Sequence, residues 1–544
     1  MKVPALLSFL LPFLTALLLI CSFPSVDLWP LAWAALVPLT LYALGEERSW
    51  RLFLLSFVAG YLFFLVGLWW TGYVVPVAPF LLAIYHALLV VLCAFTVRSG
   101  WRWGLSPMIT LPLGWVSCEF FRAYLFTGFP WFYLGHTQHD VLPLIQICDI
   151  TGVYGMSFLV AMINGLLAHL LLALRGGDPA EIKRSRIVRV GLPAGVIALV
   201  AVLGYGFIRL GTIELTKGPS LLIVQGNIPQ EVKKRSHDNE DIFEQQVRVT
   251  ESGLVGLDRP DLIVWAETMF PIPAIRDVQG ESWRNTKRLS ALAQKFSGAL
   301  LVGVTVVEPP REMLAGGSAS AEELWKASAK SNSALLVSRE GEIVDRYDKI
   351  HLVPFGEYIP LRKTLPFIDD FLKSYSELPE LPDLRAGTRH TVFNLGRWPF
   401  GVQVCYESAF PEIVRELRRQ GARFIINISN DGWFKESAEL DQMLAIVRFR
   451  AVESRVGVVR ATNTGISAFI APTGELSDVL VDTQGRTKSI EGTLRGNVLI
   501  SESATFYVAY GDLFALLVLA LFLITVGYPF LQRMKGIPSR KRPE

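Results

Sequence analysis

The sequence predicts a polytopic α-helical membrane domain of eight transmembrane helices joined to an α/β domain outside the bilayer. Three observations lead there. The 544-residue chain is 51% hydrophobic with a mean hydropathy of +0.38, whereas soluble chains of this size fall near or below zero. Its apolar segments reach the roughly 20 residues that a crossing needs. The stretch from 211 to 505 has globular composition, with strand-like and helix-like runs alternating.

The candidate spans lie near 5–20, 28–44, 52–71, 79–97, 107–125, 153–174, 189–210 and 506–529. Glu119 and Arg122 interrupt the fifth; three residues apart, they share a helical face and are expected to pair at the interface. Lys2 and the apolar run after it suggest a cleavable signal, but Leu18, Leu19 and Ile20 stand where small residues are required, so an uncleaved helix is expected. Arg48 and Arg51, Arg98 and Arg102, and Arg175, Lys183, Arg184, Arg186 and Arg189 fall in alternate loops. Arg533, Lys535, Arg540, Lys541 and Arg542 follow in the tail, while loops 21–28 and 72–78 carry Asp27 alone as charge. By the positive-inside rule both termini are cytoplasmic and 211–505 lies on the far side. The expected division is 1–210, 211–505, a final helix at 506–530 and a basic tail at 531–544. A net charge of +3, with no basic stripe interleaved with aromatics, excludes nucleic acid as a partner.

Within 211–505, strands are expected at 220-SLLIVQGN-227, 261-DLIVWAET-268, 299-ALLVGVTVV-307, 333–349 with a hairpin turn at Arg339–Gly341, 398-WPFGVQVCYES-408 and 423-RFIINISN-430. Helical runs occupy 236–254, 286–298 and 411–421, and the alternation reads as an α/β layered fold with mixed pairing. Two stretches break the pattern, 308–332 and 360–389, the latter with the apolar arm 364-TLPFIDDFL-372. Loops that long in a compact domain point to function, and these are expected to gate the site.

No glycine-rich phosphate loop, HExxH or CxxC is present. His136 and His139 lack carboxylate or cysteine company at ligand spacing, so a satisfied pair is expected rather than a metal site. Cys21, Cys93, Cys118 and Cys148 lie in or beside spans, which leaves Cys405 without a disulfide partner. By itself it is an inert buried thiol or a nucleophile. Its neighbours in strand order bear on the choice. The runs 263-IVWAE-267, 345-DRYDK-349 and 401-GVQVC-405 end on Glu267, Lys349 and Cys405, and in α/β layers chemistry gathers beyond strand carboxyl ends. Together these groups make an acyl-transfer set. Glu267 can take and return the thiol proton, while Lys349 can stabilise thiolate and, with the Tyr406 backbone N–H, an oxyanion.

The segments 265-WAET-268, 347-YDKIHLVPFGEYIP-360 and 404-VCYES-408 resemble the carbon–nitrogen hydrolase (nitrilase) superfamily. With seven N-terminal spans and one C-terminal span, the chain resembles its bacterial apolipoprotein N-acyltransferases, as do 126-FTGFPW-131, 429-SNDGWF-434, 442-QMLAIVRFRAVESR-455, 460-RATNTGIS-467 and 508-VAYGDL-513. The resemblance implies a periplasmic αββα sandwich on a bacterial inner-membrane protein. It also implies two steps: Cys405 takes an acyl chain from a phospholipid, then passes it to the α-amine of a diacylglyceryl-cysteine apolipoprotein. Glu267 is then the base, Lys349 the oxyanion stabiliser and Cys405 the nucleophile. Glu357, Tyr406 and Glu407 take supporting roles, and Trp433 and Phe434 handle acyl chains unless they merely close their loop. A monomer needing no cofactor or metal is implied. The sequence departs from the family at Ala266, where proline is common, and at 438-AELDQ-442, where a histidine often stands. A membrane-tethered amidase with the same three residues is the alternative. A non-enzymatic envelope scaffold has no need of all three.

Overall fold

The computed structural model describes residues 5–174, 182–183, 185–233, 239–256, 258–276, 283–284, 286–310, 313, 321–362, 364 and 383–534. Lys2, Arg175, Arg184, most of 308–320, the arm beyond Thr364 and the tail beyond Met534 lie outside the described residues. The chain divides into two units: Met1–Ile213, Asp441–Arg455 and Ser503–Glu544 form one, Glu214–Leu440 and Val456–Glu502 the other.

In the first unit, helices Ser49–Gly67, Ala78–Arg102, Val153–Leu174 and Ile187–Thr212 are each long and apolar enough to cross a membrane. Helices Ala5–Ser22, Pro107–Tyr124 and Leu513–Met534 accompany them. Their outward residues are apolar: Leu81, Ile197, Phe207, Ile208 and Leu517 are all exposed, a surface suited to lipid rather than water. The expected second span is not one helix. A 3-10 turn, Trp29–Trp33, and a nine-residue helix, Val37–Gly45, stand there instead, each with proline in its first turn. Pro38 cannot donate to a preceding turn, so the chain restarts at that point. Glu119 and Arg122 do pair, at 3.7 Å, but inside the unit rather than at its surface. Glu119 Oε1 also accepts from Trp115 Nε1 and the Leu134 N–H, and Arg122 donates to the Phe132 carbonyl.

Residues 441–455 bring a second polar seam to this unit. Gln442 Oε1 accepts from Trp70 Nε1 at 3.1 Å and Trp131 Nε1 at 2.8 Å. Arg455 pairs with Asp149 at 2.8 Å, and Glu453 accepts from the Val153 N–H at 3.0 Å while pairing with Arg450. Buried charges persist only when paired in this way.

The described strands of the second unit are β1 (Thr216–Gln225), β2 (Leu262–Arg276), β3 (Trp283–Arg284), β4 (Ala299–Glu308), β5 (Ala329–Val337), β6 (Ile343–Asp348), β7 (Val392–Leu395), β8 (Trp398–Val404), β9 (Phe424–Ser429), β10 (Gly457–Thr462), β11 (Ala468–Ile470), β12 (Leu476–Val479) and β13 (Gly492–Ile500). One sheet runs β13-β1-β2-β4-β5-β6, with β3 beside β2; the other runs β12-β11-β10-β9-β8-β7. The central strands pair in parallel: β1 with β2, β2 with β4, β8 with β9 and β9 with β10. These are the continuous apolar runs, as expected of strands covered on both faces. Helices Asn239–Leu254 and Lys287–Phe296 lay Phe243, Val247, Leu289 and Leu292 on Leu222, Trp265 and Val302 of the first sheet. Helix Pro411–Arg419 covers β8 with Ile413, Val414 and Leu417.

One strand departs from expectation. β2 does not stop at Glu267 but continues to Arg276, and its ladder with β4 breaks between Trp265 and Phe270. Thr268 turns to φ 53° in that break. Glu267 therefore sits on a bulge, which re-aims its side chain. Gly303 of β4 permits the bulge, because a Cβ there would lie 2.5 Å from the Ala266 carbonyl oxygen and 2.6 Å from Glu267 Cα.

Candidate active site

Each of the three candidate residues stands at a break in or after a strand. Glu267 occupies the β2 bulge, Lys349 follows β6, and Cys405 opens a 3-10 turn after β8 with φ of 53°. All three are buried. Lys349 Nζ lies 3.6 Å from Glu267 Oε1 and 2.8 Å from Glu357 Oε1. Burial alone would drive the proton off Lys349. The Glu357 and Glu267 carboxylates, with the Cys405 sulfur, outweigh it and hold the ammonium well above the ordinary lysine range. The Cys405 thiol is pushed well above its usual range, first by burial, then by the charge of Glu267; Lys349 opposes both, and Asp431 adds to them. The resting sulfur is thus a neutral thiol beside a carboxylate, the arrangement that general-base activation requires.

The carboxylates are aimed by amides. Glu267 Oε1 accepts from Asn332 Nδ2 at 2.6 Å, and Oε2 accepts from the Asn430 N–H at 2.7 Å. The same Asn332 Nδ2 reaches Glu357 Oε1 at 3.0 Å, and Glu357 Oε2 takes the Val353 N–H at 2.8 Å. Antiparallel pairing of Ser333 with Asp348 sets Asn332 beside Lys349, whose N–H donates to the Asn332 carbonyl at 2.8 Å.

Glu407 is a brace. Its Oε1 accepts from Tyr347 Oη at 2.8 Å and from the N–H groups of Ile350 and His351, and its Oε2 from the Val404 N–H at 2.7 Å. It joins the turn carrying Cys405 to the segment carrying Lys349. Burial raises its pKa to about 7, against the pull of these donors. Tyr406 packs on Phe410, with ring centroids 5.0 Å apart, and near His351.

Beneath the thiol lies a buried ion pair, Arg460 to Asp431 at 2.7 Å. Asp431 accepts from Ser429 Oγ, and that hydroxyl is itself a hydrogen-bond neighbour of Cys405. Arg460 also donates to Asn427 Oδ1 at 2.5 Å. Trp433 and Phe434 are half-buried on the short turn Asp431–Phe434 that starts from this pair.

Residues 15–166 match the apolipoprotein N-acyltransferase N-terminal domain, and residues 249–490 match carbon-nitrogen hydrolase. A protein of Geobacter metallireducens named apolipoprotein N-acyltransferase is 35% identical over 518 residues, covering 93% of this chain and 92% of its own. Another of that name, from Chlorobaculum tepidum, is 31% identical over 521 residues, covering 93% of each chain. The chain belongs to the apolipoprotein N-acyltransferase family.

In this family member the two sequence departures have clear surroundings. Ala266 leaves Glu267 in the grip of Asn332 and Asn430, while Gln442, after the histidine-less segment, holds Trp70 and Trp131. His136 and His139 do not act as a pair. His136 stacks on Tyr133 and meets the Phe449 ring. His139 Nε2 faces Asp27 at 3.1 Å, and its Nδ1 faces Asp140 and Arg448. Of the stretches expected to gate the site, residues 383–389 are among those described: Leu384 N–H donates to the Glu357 carbonyl and Gly387 N–H to that of Lys349, both at 2.8 Å. Sequence reasoning passed over Asn332, Asn430, Ser429 and Arg460.

Proposed function

We propose that Glu267, Lys349 and Cys405 carry out a two-step acyl transfer from a membrane phospholipid to the N-terminal α-amine of a diacylglyceryl-cysteine apolipoprotein. In the first step Glu267 takes the thiol proton as the sulfur attacks the ester carbonyl. Lys349 and the Tyr406 N–H hold the oxyanion. The C–O bond then breaks, and the leaving alkoxide takes the proton from Glu267, giving a lysophospholipid and an acyl thioester. In the second step the neutral α-amine attacks the thioester, Glu267 takes its proton, the C–S bond breaks, and Glu267 returns that proton to the sulfur, restoring the thiol as the amide forms. The thioester lies above the ester it comes from, but the final amide lies below both, so the overall transfer is downhill and no cofactor is called for.

The buried cluster of a carboxylate, an ammonium and a thiol carries this reading. Glu357 keeps Lys349 charged, Glu407 braces the thiol's turn, and Trp433 and Phe434 guide an acyl chain. The charge pattern of the loops supports eight crossings, with cytoplasmic termini and residues 211–505 in the periplasm of a bacterial inner membrane. We read the working form as a monomer.

Intact mass spectrometry after incubation with phospholipid, without acceptor, tests the proposal. The protein is expected to gain one acyl chain on Cys405, labile to hydroxylamine and discharged by a diacylated lipopeptide; Cys405→Ser gains none. Ammonia release from small amides with no acyl adduct would instead support the amidase.

A further inference from the structure

One cation beside this cluster is not satisfied by it. Lys233 ends the short turn Gln230–Lys233 after β1, and its ammonium donates to Thr268 Oγ1 at 2.7 Å. Thr268 follows Glu267 and returns its own hydroxyl to the Glu267 carbonyl at 2.8 Å. Among the described residues that hydroxyl is the sole hydrogen-bond partner of the Lys233 ammonium, and no carboxylate among them lies within ion-pair distance of it. Lys349, by contrast, has two.

The turn is fixed at both ends to the surroundings of Glu267. Gln230 Oε1 accepts from Asn430 Nδ2 at 2.9 Å, and the Asn430 N–H holds Glu267. Lys233 is half-buried. Loss of water, against the pull of Glu267, lowers its pKa to about 7. A desolvated cation lacking a counter-charge is costly and is retained where an anion arrives.

We propose that Lys233 receives the phosphate diester of the donor lipid while its acyl ester lies against Cys405. Phosphate and acyl carbonyls hang from one glycerol, so a cation just beyond Glu267 stands within the span of a single donor molecule. The acceptor carries diacylglyceryl and an α-ammonium but no phosphate. A positive site therefore favours the donor and repels the acceptor before the thioester has formed. The inference rests on the acyl-transfer reading above and adds to it the group that tells the two substrates apart.

The test compares acyl loading of Cys405 from dipalmitoyl phosphatidylglycerol vesicles and from neutral dipalmitoylglycerol in micelles. Wild type is expected to prefer the phospholipid. Lys233→Gln is expected to lose about 10-fold of that loading while loading from dipalmitoylglycerol stays within about twofold, which also reports a folded site. Lys233→Arg keeps the preference. An equal loss from both donors overturns the proposal and makes Lys233 a positioning residue for Glu267; no loss overturns it outright. Inorganic phosphate that slows both donors alike would assign the site to free phosphate instead. If wild type loads from neither ester, the acyl-transfer reading has failed before Lys233 is at issue.

Discussion

Glu267 is assigned two effects on Cys405 that oppose one another: it accepts the thiol proton, yet its charge disfavours the thiolate. Glu267→Gln separates them. Acyl loading is expected to fall by about 10²-fold or more, the usual worth of a positioned base. Alkylation of Cys405 by iodoacetamide at pH 8 is expected to become faster, because removing the negative charge lowers the thiol pKa and raises the thiolate fraction. In wild type the alkylation rate should climb about tenfold per pH unit through pH 9 without a plateau, since the thiol titrates above that range. Slower alkylation of the variant at every pH would show that Glu267 does not act on the sulfur through its charge. Asn332 gives a second case, as one amide nitrogen serves both Glu267 and Glu357. Asn332→Ala should reduce loading by about 10- to 100-fold, from the loss of two hydrogen bonds to charged groups, with little change in the far-ultraviolet circular dichroism. The candidate trio stood out in the sequence because a carboxylate, an ammonium and a thiol each closed an apolar run, although β2 in fact continues past Glu267. Asn332 and Asn430 did not, because neither is unusual locally; Asn430 meets Glu267 across 163 residues of chain.

In the second unit β1, β2, β4, β5, β6, β8 and β9 followed from apolar runs and turn residues, while β3, β7 and β10 to β13 were not expected; the Arg339–Gly341 hairpin lies where expected, with Gly341 at φ 93°. The β2 bulge did not follow. Pro271 and Pro273 lie in 269-MFPIPAIR-276, and prolines ordinarily end a central strand; here the strand continues because its ladder has already broken. The bulge depends on close approach by β4, so Gly303→Ala forces backbone against backbone. A displacement of about 1 Å at Glu267 would cost about 10²-fold in loading. Overpacking would cost about 1–3 kcal/mol in stability. A variant that loads normally would show that the bulge tolerates the methyl and that aim is set elsewhere. The broken second span has a similar explanation: hydropathy sees apolar residues from 28 to 44, but Pro30 and Pro38 each restart the backbone.

For the molecule as a whole, alternating loop charge makes a directional prediction. In intact spheroplasts a membrane-impermeant maleimide should label Gln484→Cys but not Glu47→Cys; both positions are exposed, while the native cysteines are buried or half-buried. Labelling of Glu47→Cys alone would invert the proposed topology. The seam formed by residues 441–455 bears on how the protein is made. Asp149, buried in the first unit, meets Arg209 sixty residues later but Arg455 only after 306. At roughly 5–20 residues per second, the ribosome needs roughly 15–60 s to deliver that second arginine. Through that interval Asp149 waits for Arg455, Val153 for Glu453, and Trp131 for Gln442. A nascent chain stalled at residue 440 would hold every apolar helix before 213 and still lack the polar bolts that lock them, which makes this interval the one in which quality-control proteases find it most vulnerable.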